Sequence, residues 1–220
     1  MSTMEQSHKR LRAESWITEQ PKLASTSDPS AKYQPLSGGS GTYAYDEYSV
    51  LISGMPSNVS AGEYIRRFSN DFNGTVNNGL FNAMNMFSKR TSGDPKLGDI
   101  YDIDIAGPDN GSIVVVAISS GFGTSDAEGW FDIQTITCKK YGTHPEYGAR
   151  EFGFEKVDQG YKFYTRGVSR PENALVRIGG KFPQAASWSA LMKGISTSIS
   201  QLGGSPKANS FAVFQEFKAN

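Results

Sequence analysis

Apolar and polar residues alternate repeatedly between residues 99 and 169, and this period-two pattern constrains the fold more than any other feature of the sequence. Such alternation is typical of strands in an antiparallel sheet with one buried face. It predicts strands at 99–106, 130–138, 149–157 and 160–169, and the apolar run at 112–119 adds one more.

A second period, of three to four residues, follows Pro183 and predicts a long amphipathic helix that ends at Gly203-Gly204. Its apolar residues are Ala185, Trp188, Leu191, Met192, Ile195, Ile199 and Leu202. The sheet and the helix each have one apolar side to bury, so the simplest arrangement wraps a curved sheet around the helix. The predicted class is α+β, and the space between sheet and helix is a natural ligand pocket.

The region before these strands predicts one strand and two short helices. Residues 45–53 have the aromatic and β-branched composition of a strand. Ser60 and Glu63 form a capping-box pattern, which predicts the start of a helix that ends at Asn73-Gly74. Helical spacing of apolar residues then predicts a second helix at about 75–88.

The chain divides into three parts by composition. Residues 1–43 are rich in Ser, Thr, Gln, Lys and Pro, so we expect a flexible N-terminal arm, mobile or loosely docked through Trp16 and Ile17. Residues 44–204 form the predicted domain. Residues 205–220 form a tail that contains a short predicted strand at 210–217.

Composition argues against several classes of protein. The 22 basic residues balance the 22 acidic ones, so we expect no nucleic-acid partner. One cysteine and two distant histidines offer no metal site, and nothing in the sequence predicts a cofactor. The N-terminus lacks the apolar core of a signal peptide, and we find no apolar run long enough for a membrane span. We therefore expect a cytoplasmic protein.

Several short motifs resemble an uncharacterised branch of the START-like and polyketide-cyclase-like (SRPBCC) superfamily. They occur in order within residues 45–202 and comprise Leu97-Gly98-Asp99, Gly142-Thr143-His144-Pro145-Glu146, Gly148, Phe152, Ser169-Arg170-Pro171 and Gln184. The resemblance implies a helix-grip fold with a pocket, and it implies no particular reaction. Lys139-Lys140-Tyr141 and the N-terminal arm depart from the family pattern.

His144 and Glu146 are the candidate catalytic residues. The unperturbed pKa of histidine, about 6.5, suits proton transfer near neutral pH, and Glu146 is a possible orienting carboxylate. Alternatively, His144-Pro145-Glu146 shapes a loop, with the imidazole bound to a backbone group.

Candidate ligand-binding residues surround the hairpin at 149–169. Arg170 suits a ligand carboxylate or phosphate, or an internal ion pair with Glu146 or Glu151. The other candidates are Trp130, Tyr141, Tyr161, Phe163, Tyr164, Trp188 and Met192, which line a pocket or simply pack in the core. Asp102 and Asp104 are expected on a solvated strand face, and Cys138 as a small buried residue.

Three functions remain open. The first is binding of a hydrophobic or aromatic small molecule between sheet and helix. The second is an acid–base enzyme, a cyclase, isomerase or dehydratase that uses His144 in the same pocket. The third is an interaction protein whose terminal segments bind another chain, with a homo-oligomer as one possibility.

Overall fold

The computed structural model describes residues 3–105, 110–172 and 181–219, with side chains in the last range from Gln184 onward. The helices are α1 (Thr3–Ala13), α2 (Trp16–Glu19), α3 (Leu23–Ser27), α4 (Ala61–Asn70), α5 (Phe72–Val76), α6 (Gly79–Met84) and α7 (Lys181–Gln201). The strands are β1 (Lys32–Tyr33), β2 (Tyr43–Gly54), β3 (Asn85–Lys89), β4 (Ile100–Ile105), β5 (Gly111–Ile118), β6 (Glu128–Thr137), β7 (Glu146–Val157), β8 (Gly160–Pro171), β9 (Ser205–Pro206) and β10 (Ala212–Lys218).

The strands form one antiparallel sheet around the long helix, so the predicted helix-grip arrangement is confirmed. The order across the sheet is β10-β2-β8-β7-β6-β5-β4-β3, with β1 added to β6 and β9 to β2. Along each strand, alternate side chains point toward α7, on what we call the inner face, or away from it, on the outer face.

The inner face and α7 share one core, which is rich in aromatic side chains. Phe68 of α4 and Phe72 of α5 pack against Phe152 of β7, and Trp188 of α7 contacts the same ring. Leu191, Met192, Ile195 and Ile199 complete the apolar side of the helix. Of the apolar residues predicted along the helix, these four and Trp188 are buried, Ala185 is half-buried, and Leu202, just beyond the last turn, is 42% exposed.

The N-terminal segment covers the outer face, and this corrects the expectation of a loosely docked arm. Leu11 and Trp16 are buried against a second apolar cluster that includes Val114, Val116 and Ile136. The sequence suggested mobility because its apolar residues are few. They suffice because β5 and β6 carry apolar residues on both faces and need a cover. The boundaries of the three predicted parts stay a prediction.

The helix predicted at 75–88 is wrong, because the segment contains two helices and a strand. Asn77 adopts a left-handed conformation with φ of 44°, which ends α5, and the Asn78 side chain caps α6. Residues 85–89 then pair with β4 as the edge strand β3. Three short helices, not two, therefore follow β2. The predicted cap is present, since the Glu63 amide donates to Ser60 Oγ at 3.1 Å.

The predicted C-terminal strand is confirmed and pairs with β2. All seven residues of β10 are exposed. Within the described ranges, no helix combines the length and the apolar character that crossing a membrane requires.

Candidate functional site

The centre of the space between sheet and helix is filled by side chains. Phe131, Phe152, Phe154 and Phe163 line the inner face and are at most 1% exposed. Their rings contact one another or aromatic rings of α4 and α5 at centroid distances of 5.4–6.0 Å. Ligand space therefore has to be sought toward the ends of the helix.

A cavity of about 250 Å³ lies at one end of the sheet, beside the first turns of α7. It is lined by Thr42, Ala44, Tyr45, Asp46, Glu146, Ser169, Pro171, Gln184, Ala185, Gln215 and Phe217. We call it the end cavity. A smaller space of about 60 Å³, the inner cavity, reaches further under the helix to Arg150 and Trp188. The two cavities share Glu146, Ser169 and Gln184 as lining residues.

A buried ion pair crosses the inner face where the two cavities meet. Arg150 of β7, Gly167 of β8 and Asp46 of β2 are direct neighbours across three strands. Because Gly167 has no side chain, Arg150 reaches over it and donates from Nη2 to Asp46 Oδ2 at 2.7 Å. Nη1 donates to Thr165 Oγ1 at 3.2 Å, and the guanidinium lies 4.3 Å above the Trp188 ring.

Two buried side-chain polar atoms of the residues that line these cavities have no hydrogen-bond partner among the described residues. They are Asp46 Oδ1, whose carboxylate lines the wall of the end cavity, and Trp188 Nε1, whose side chain lines the inner cavity. A buried polar atom without a hydrogen bond costs about 1–3 kcal/mol, so each one in a native protein calls for an explanation, of which a functional role is one.

His144 lies at the inner cavity and is held by backbone groups. Its Nδ1 accepts a hydrogen bond from the Glu146 amide at 3.0 Å, and its own amide and carbonyl bind the Gln34 side chain. Burial lowers the pKa of His144 to about 4, so the ring is neutral at pH 7. The contact that orients the ring is thus the Glu146 backbone and not its carboxylate. This arrangement matches the loop-shaping alternative, and the catalytic role stays a prediction.

Arg170 lies on the outer face, away from both cavities. Its guanidinium donates to the carbonyl oxygens of Leu36 and Gly41 at 2.8–3.2 Å and lies 4.7 Å from the Tyr43 ring. It therefore anchors the segment before β2 to the end of β8. The sequence suggested that Arg170 binds a ligand anion or forms an ion pair with Glu146 or Glu151. The observed partners are instead backbone carbonyl oxygens.

Because successive residues of a strand face opposite sides of the sheet, the residues predicted to bind a ligand are divided between its two faces. Tyr161 and Phe163 belong to the inner core, with Trp188 and Met192 of α7. Trp130 and Tyr164 lie on the outer face, where they stack on Arg10 and Arg166 at 3.8 and 3.5 Å. Tyr141 lies in the loop after β6 and donates to Asp104. Of this set, Trp188 alone lines one of the two cavities.

The outer face carries an ionic network that the sequence analysis missed. Arg10 of α1 donates from Nε to Asp132 at 2.9 Å and also contacts Glu151. Arg166, 1% exposed, pairs with Glu151 and with Glu47, at 3.4 and 2.6 Å. Burial raises the pKa of Asp132 to about 6, although Arg10 opposes the shift. The network fastens α1 to the sheet, so Arg10 belongs to a docked helix and not to a mobile arm.

Asp102 also differs from its expected place on a solvated face. It is 4% exposed and accepts hydrogen bonds from Arg90, Lys140 and Ser112 at 2.7–3.1 Å. Cys138 is buried beside it, as expected. Among the described residues, no group of three or more His, Cys, Asp or Glu side chains is placed to hold a metal ion.

Apart from Glu146, the residues that line the end cavity were not among the predicted site residues. Ala44 and Asp46 precede or open a predicted strand, and Gln215 and Phe217 belong to a strand whose partner the sequence does not specify. The one available signal was the alternation of the segment at 43–48, which puts Ala44, Asp46 and Tyr48 on a single face.

Comparison with family models finds no match, and comparison with curated proteins finds none either. Solved structures do resemble the chain. One is the di-domain ARO/CYC StfQ from the steffimycin biosynthetic pathway, at 12% identity and a TM-score of 0.46, covering 73% of this chain and 52% of that one. Another is protein Ms6760 from Mycobacterium smegmatis, at 11% identity and a TM-score of 0.45, covering 71% and 91%.

A third is major latex-like protein 151 from Panax ginseng, at 13% identity and a TM-score of 0.43, covering 72% of this chain and 99% of that one. These similarities concern the path of the backbone. The function is therefore inferred from the residues of the site itself.

Proposed function

We propose that this protein binds a small, largely apolar molecule in the end cavity. The observation that carries the proposal is a cavity of about 250 Å³ between the sheet and the start of α7, with apolar walls and, on a lining residue, a buried carboxylate oxygen that no described residue contacts by a hydrogen bond. Ala44, Pro171, Ala185 and Phe217 supply the apolar walls. Pockets that combine such walls with few polar groups are typical of small-molecule sites.

The size of the cavity favours a compact ligand. Ligand pockets usually measure about 300–1,000 Å³, and the end cavity lies just below this range. A molecule with one or two rings fits these dimensions better than a long lipid chain, because the aromatic core blocks the way along the helix.

Binding without turnover is favoured over acid–base catalysis. A general base works best when its pKa lies near the working pH. Burial lowers the pKa of His144 to about 4, and both its backbone and its ring are engaged in shaping the loop. The remaining alternative, recognition of another chain by the terminal segments, is less favoured because both segments pack on their own sheet.

The test measures binding of a neutral aromatic probe, 1-naphthylmethanol, by titration calorimetry. Ala185→Phe places a ring in the end cavity, whereas Ala186→Phe, the control, places the same ring on the exposed side of the helix. We expect the first variant to weaken binding by about tenfold or more, since it takes the space that buries the probe. Absence of binding to the wild type, or equal loss in both variants, contradicts the proposal.

Native mass spectrometry of the protein purified from its own host would identify the natural ligand. A stoichiometric small molecule released on denaturation is the expected result. A stoichiometric long-chain lipid would contradict the compact ligand inferred from the size of the cavity.

A further inference from the structure

We propose that the ligand of the end cavity is a small apolar amine, whose ammonium group binds the Asp46 carboxylate. This inference rests on the proposed function and adds the chemical class of the ligand. Its evidence is the charge of the cavity lining, the unused oxygen of Asp46 and the position of the ion pair with Arg150.

Among the described residues that line the end cavity, those with charged side chains are both acidic. They are Asp46 and Glu146, and the remaining lining residues are neutral. The described lining therefore offers carboxylate acceptors to a cation and no cationic side chain to an anion. A ligand carboxylate or phosphate is therefore disfavoured at this site.

One carboxylate oxygen of Asp46 is available to bind a ligand. The residue is 7% exposed, and its Oδ2 accepts from Arg150 at 2.7 Å, while Oδ1 accepts from no described residue. Oδ1 is sealed from solvent against Gly167. The terminal torsion of Asp is broad, so a modest rotation turns a carboxylate oxygen toward the cavity while Arg150 keeps the other.

The position of Arg150 makes the two cations compatible. Arg150 lines the inner cavity and Asp46 the end cavity, so the carboxylate lies between the guanidinium and a ligand in the end cavity. Each oxygen then serves one cation. Charge-assisted hydrogen bonds of this kind are stronger than neutral ones.

The walls also suit an apolar amine. Phe217 lines the cavity with an aromatic ring, which attracts a cation through its face and also contacts an apolar body. An ammonium group on a one- or two-ring body therefore finds both kinds of contact in one space.

The experiment compares three ligands of nearly equal size: 1-naphthylmethylamine, 1-naphthylmethanol and 1-naphthoate. Titration calorimetry at pH 7 with the wild-type protein is expected to give the amine at least about tenfold higher affinity than the alcohol, because a hydrogen bond between two charged groups is stronger than one from a neutral donor. The naphthoate is expected to bind most weakly.

Asp46→Asn and Glu47→Gln separate the site from the general charge of the protein. Both substitutions remove one negative charge from neighbouring positions of β2, but Glu47 lies on the outer face against Arg166. We expect Asp46→Asn to abolish the preference for the amine over the alcohol, and Glu47→Gln to retain it. Equal loss of the preference in both variants overturns the assignment to Asp46.

The outcomes distinguish this inference from the proposed function. If the wild type binds the alcohol or the naphthoate as tightly as the amine, the cavity is a binding site but the amine assignment is wrong. If none of the three ligands binds, both proposals fail. The comparison of ligands on the wild type needs no variant, so it decides the question even if Asp46→Asn does not fold.

Discussion

Gly167 and its two neighbours show how single residues shape the candidate site. The inner face of β8 would be closed to an ion pair by any side chain at this position, since a Cβ atom there would collide with the Arg150 guanidinium. The glycine thus permits a charged pair under an otherwise aromatic core. Its role is steric and does not depend on an unusual backbone conformation.

Gly167→Ala is predicted to destabilise the protein by about 3 kcal/mol, because the displaced Arg150 leaves Asp46 as a buried carboxylate without its cation. Urea unfolding at pH 7 measures this change. Gly79→Ala is the matched control, since a Cβ atom at Gly79 meets nothing within 4 Å. Similar losses in both variants would show that the ion pair does not depend on the glycine.

His144 is predicted to make the stability pH-dependent. The unfolded chain takes up a proton near pH 6.5, whereas folded His144 stays neutral down to about pH 4. Below pH 6.5 the unfolded state therefore binds more protons, and the free energy of unfolding falls as the pH falls toward 4. With about 1.4 kcal/mol for each pKa unit, the full effect is about 3 kcal/mol.

The measurement compares urea unfolding of the wild type and His144→Asn from pH 4 to pH 8. The asparagine side chain can still accept from the Glu146 amide two residues on, but it does not titrate. Other titrating groups are common to both proteins and cancel in the difference. Parallel pH profiles would mean that His144 is not the neutral buried group described above.

At the scale of elements, α1 is fastened to the sheet by charge as well as by apolar contacts. Arg10 bridges Asp132 of β6 and Glu151 of β7, which are both 0% exposed. Burial of two carboxylates on adjacent strands is unfavourable without cations, and α1 supplies one of them while Arg166 of β8 supplies another. The first helix is thus required by the polar residues of the sheet.

Arg10→Ala is predicted to cost about 3 kcal/mol at pH 8 and less at pH 5. The pKa of Asp132 is about 6 in the folded protein, above its value of 3.8 in the unfolded chain. The contribution of Asp132 to the free energy of unfolding therefore falls as the pH rises from about 4 to about 6. Without Arg10 the pKa rises further, which enlarges the loss at high pH.

The check is thermal or urea unfolding at pH 5 and pH 8, with Arg12→Ala as control. Arg12 belongs to the same helix but stacks on the Tyr43 ring at the surface. We expect the control to lose little stability at either pH. A loss from Arg10→Ala that is independent of pH would indicate lost packing over Trp130 and not the electrostatic bridge.

At the scale of the whole molecule, the sheet is covered on one face by α4–α7 and on the other by the N-terminal segment. The two terminal segments contribute differently. The N-terminal helices bury Leu11 and Trp16, at 0% and 3% exposure, whereas every residue of β10 is exposed. The first segment therefore stabilises the fold, and the last completes the wall of the end cavity.

Removal of residues 210–220 is predicted to leave the fold intact and to weaken binding of 1-naphthylmethanol by about tenfold, because Gln215 and Phe217 no longer close the cavity.

Removal of residues 1–41 is predicted to abolish cooperative folding, since the outer apolar cluster loses its cover. Circular dichroism measures the folding of both truncated proteins, and titration calorimetry measures the binding of 1-naphthylmethanol. A stable, monomeric N-terminal truncation would contradict the proposed role of the arm.

The sequence by itself determined the class of fold and the long helix. Period-two and period-3.6 patterns report which side of each element is apolar, and burial of those sides against one another leaves few arrangements. For the same reason the buried positions of Trp188, Leu191 and Met192 followed from the helical pattern, whereas Phe163 stayed open between the core and a pocket. The loop-shaping alternative for His144 followed from its neighbours in the chain, Pro145 and Glu146.

The tertiary structure decided which face each polar residue serves and what meets it there. Asp46, Arg150 and Gly167 are over 100 residues apart at their extremes, and strand pairing alone makes them neighbours. Likewise, the low hydrophobicity of the N-terminal segment suggested a flexible arm. The composition of that segment contains no information about β5 and β6, which are apolar on both faces and need a cover. Local patterns encode what a segment must bury, but the partner is set by contacts between segments distant in sequence.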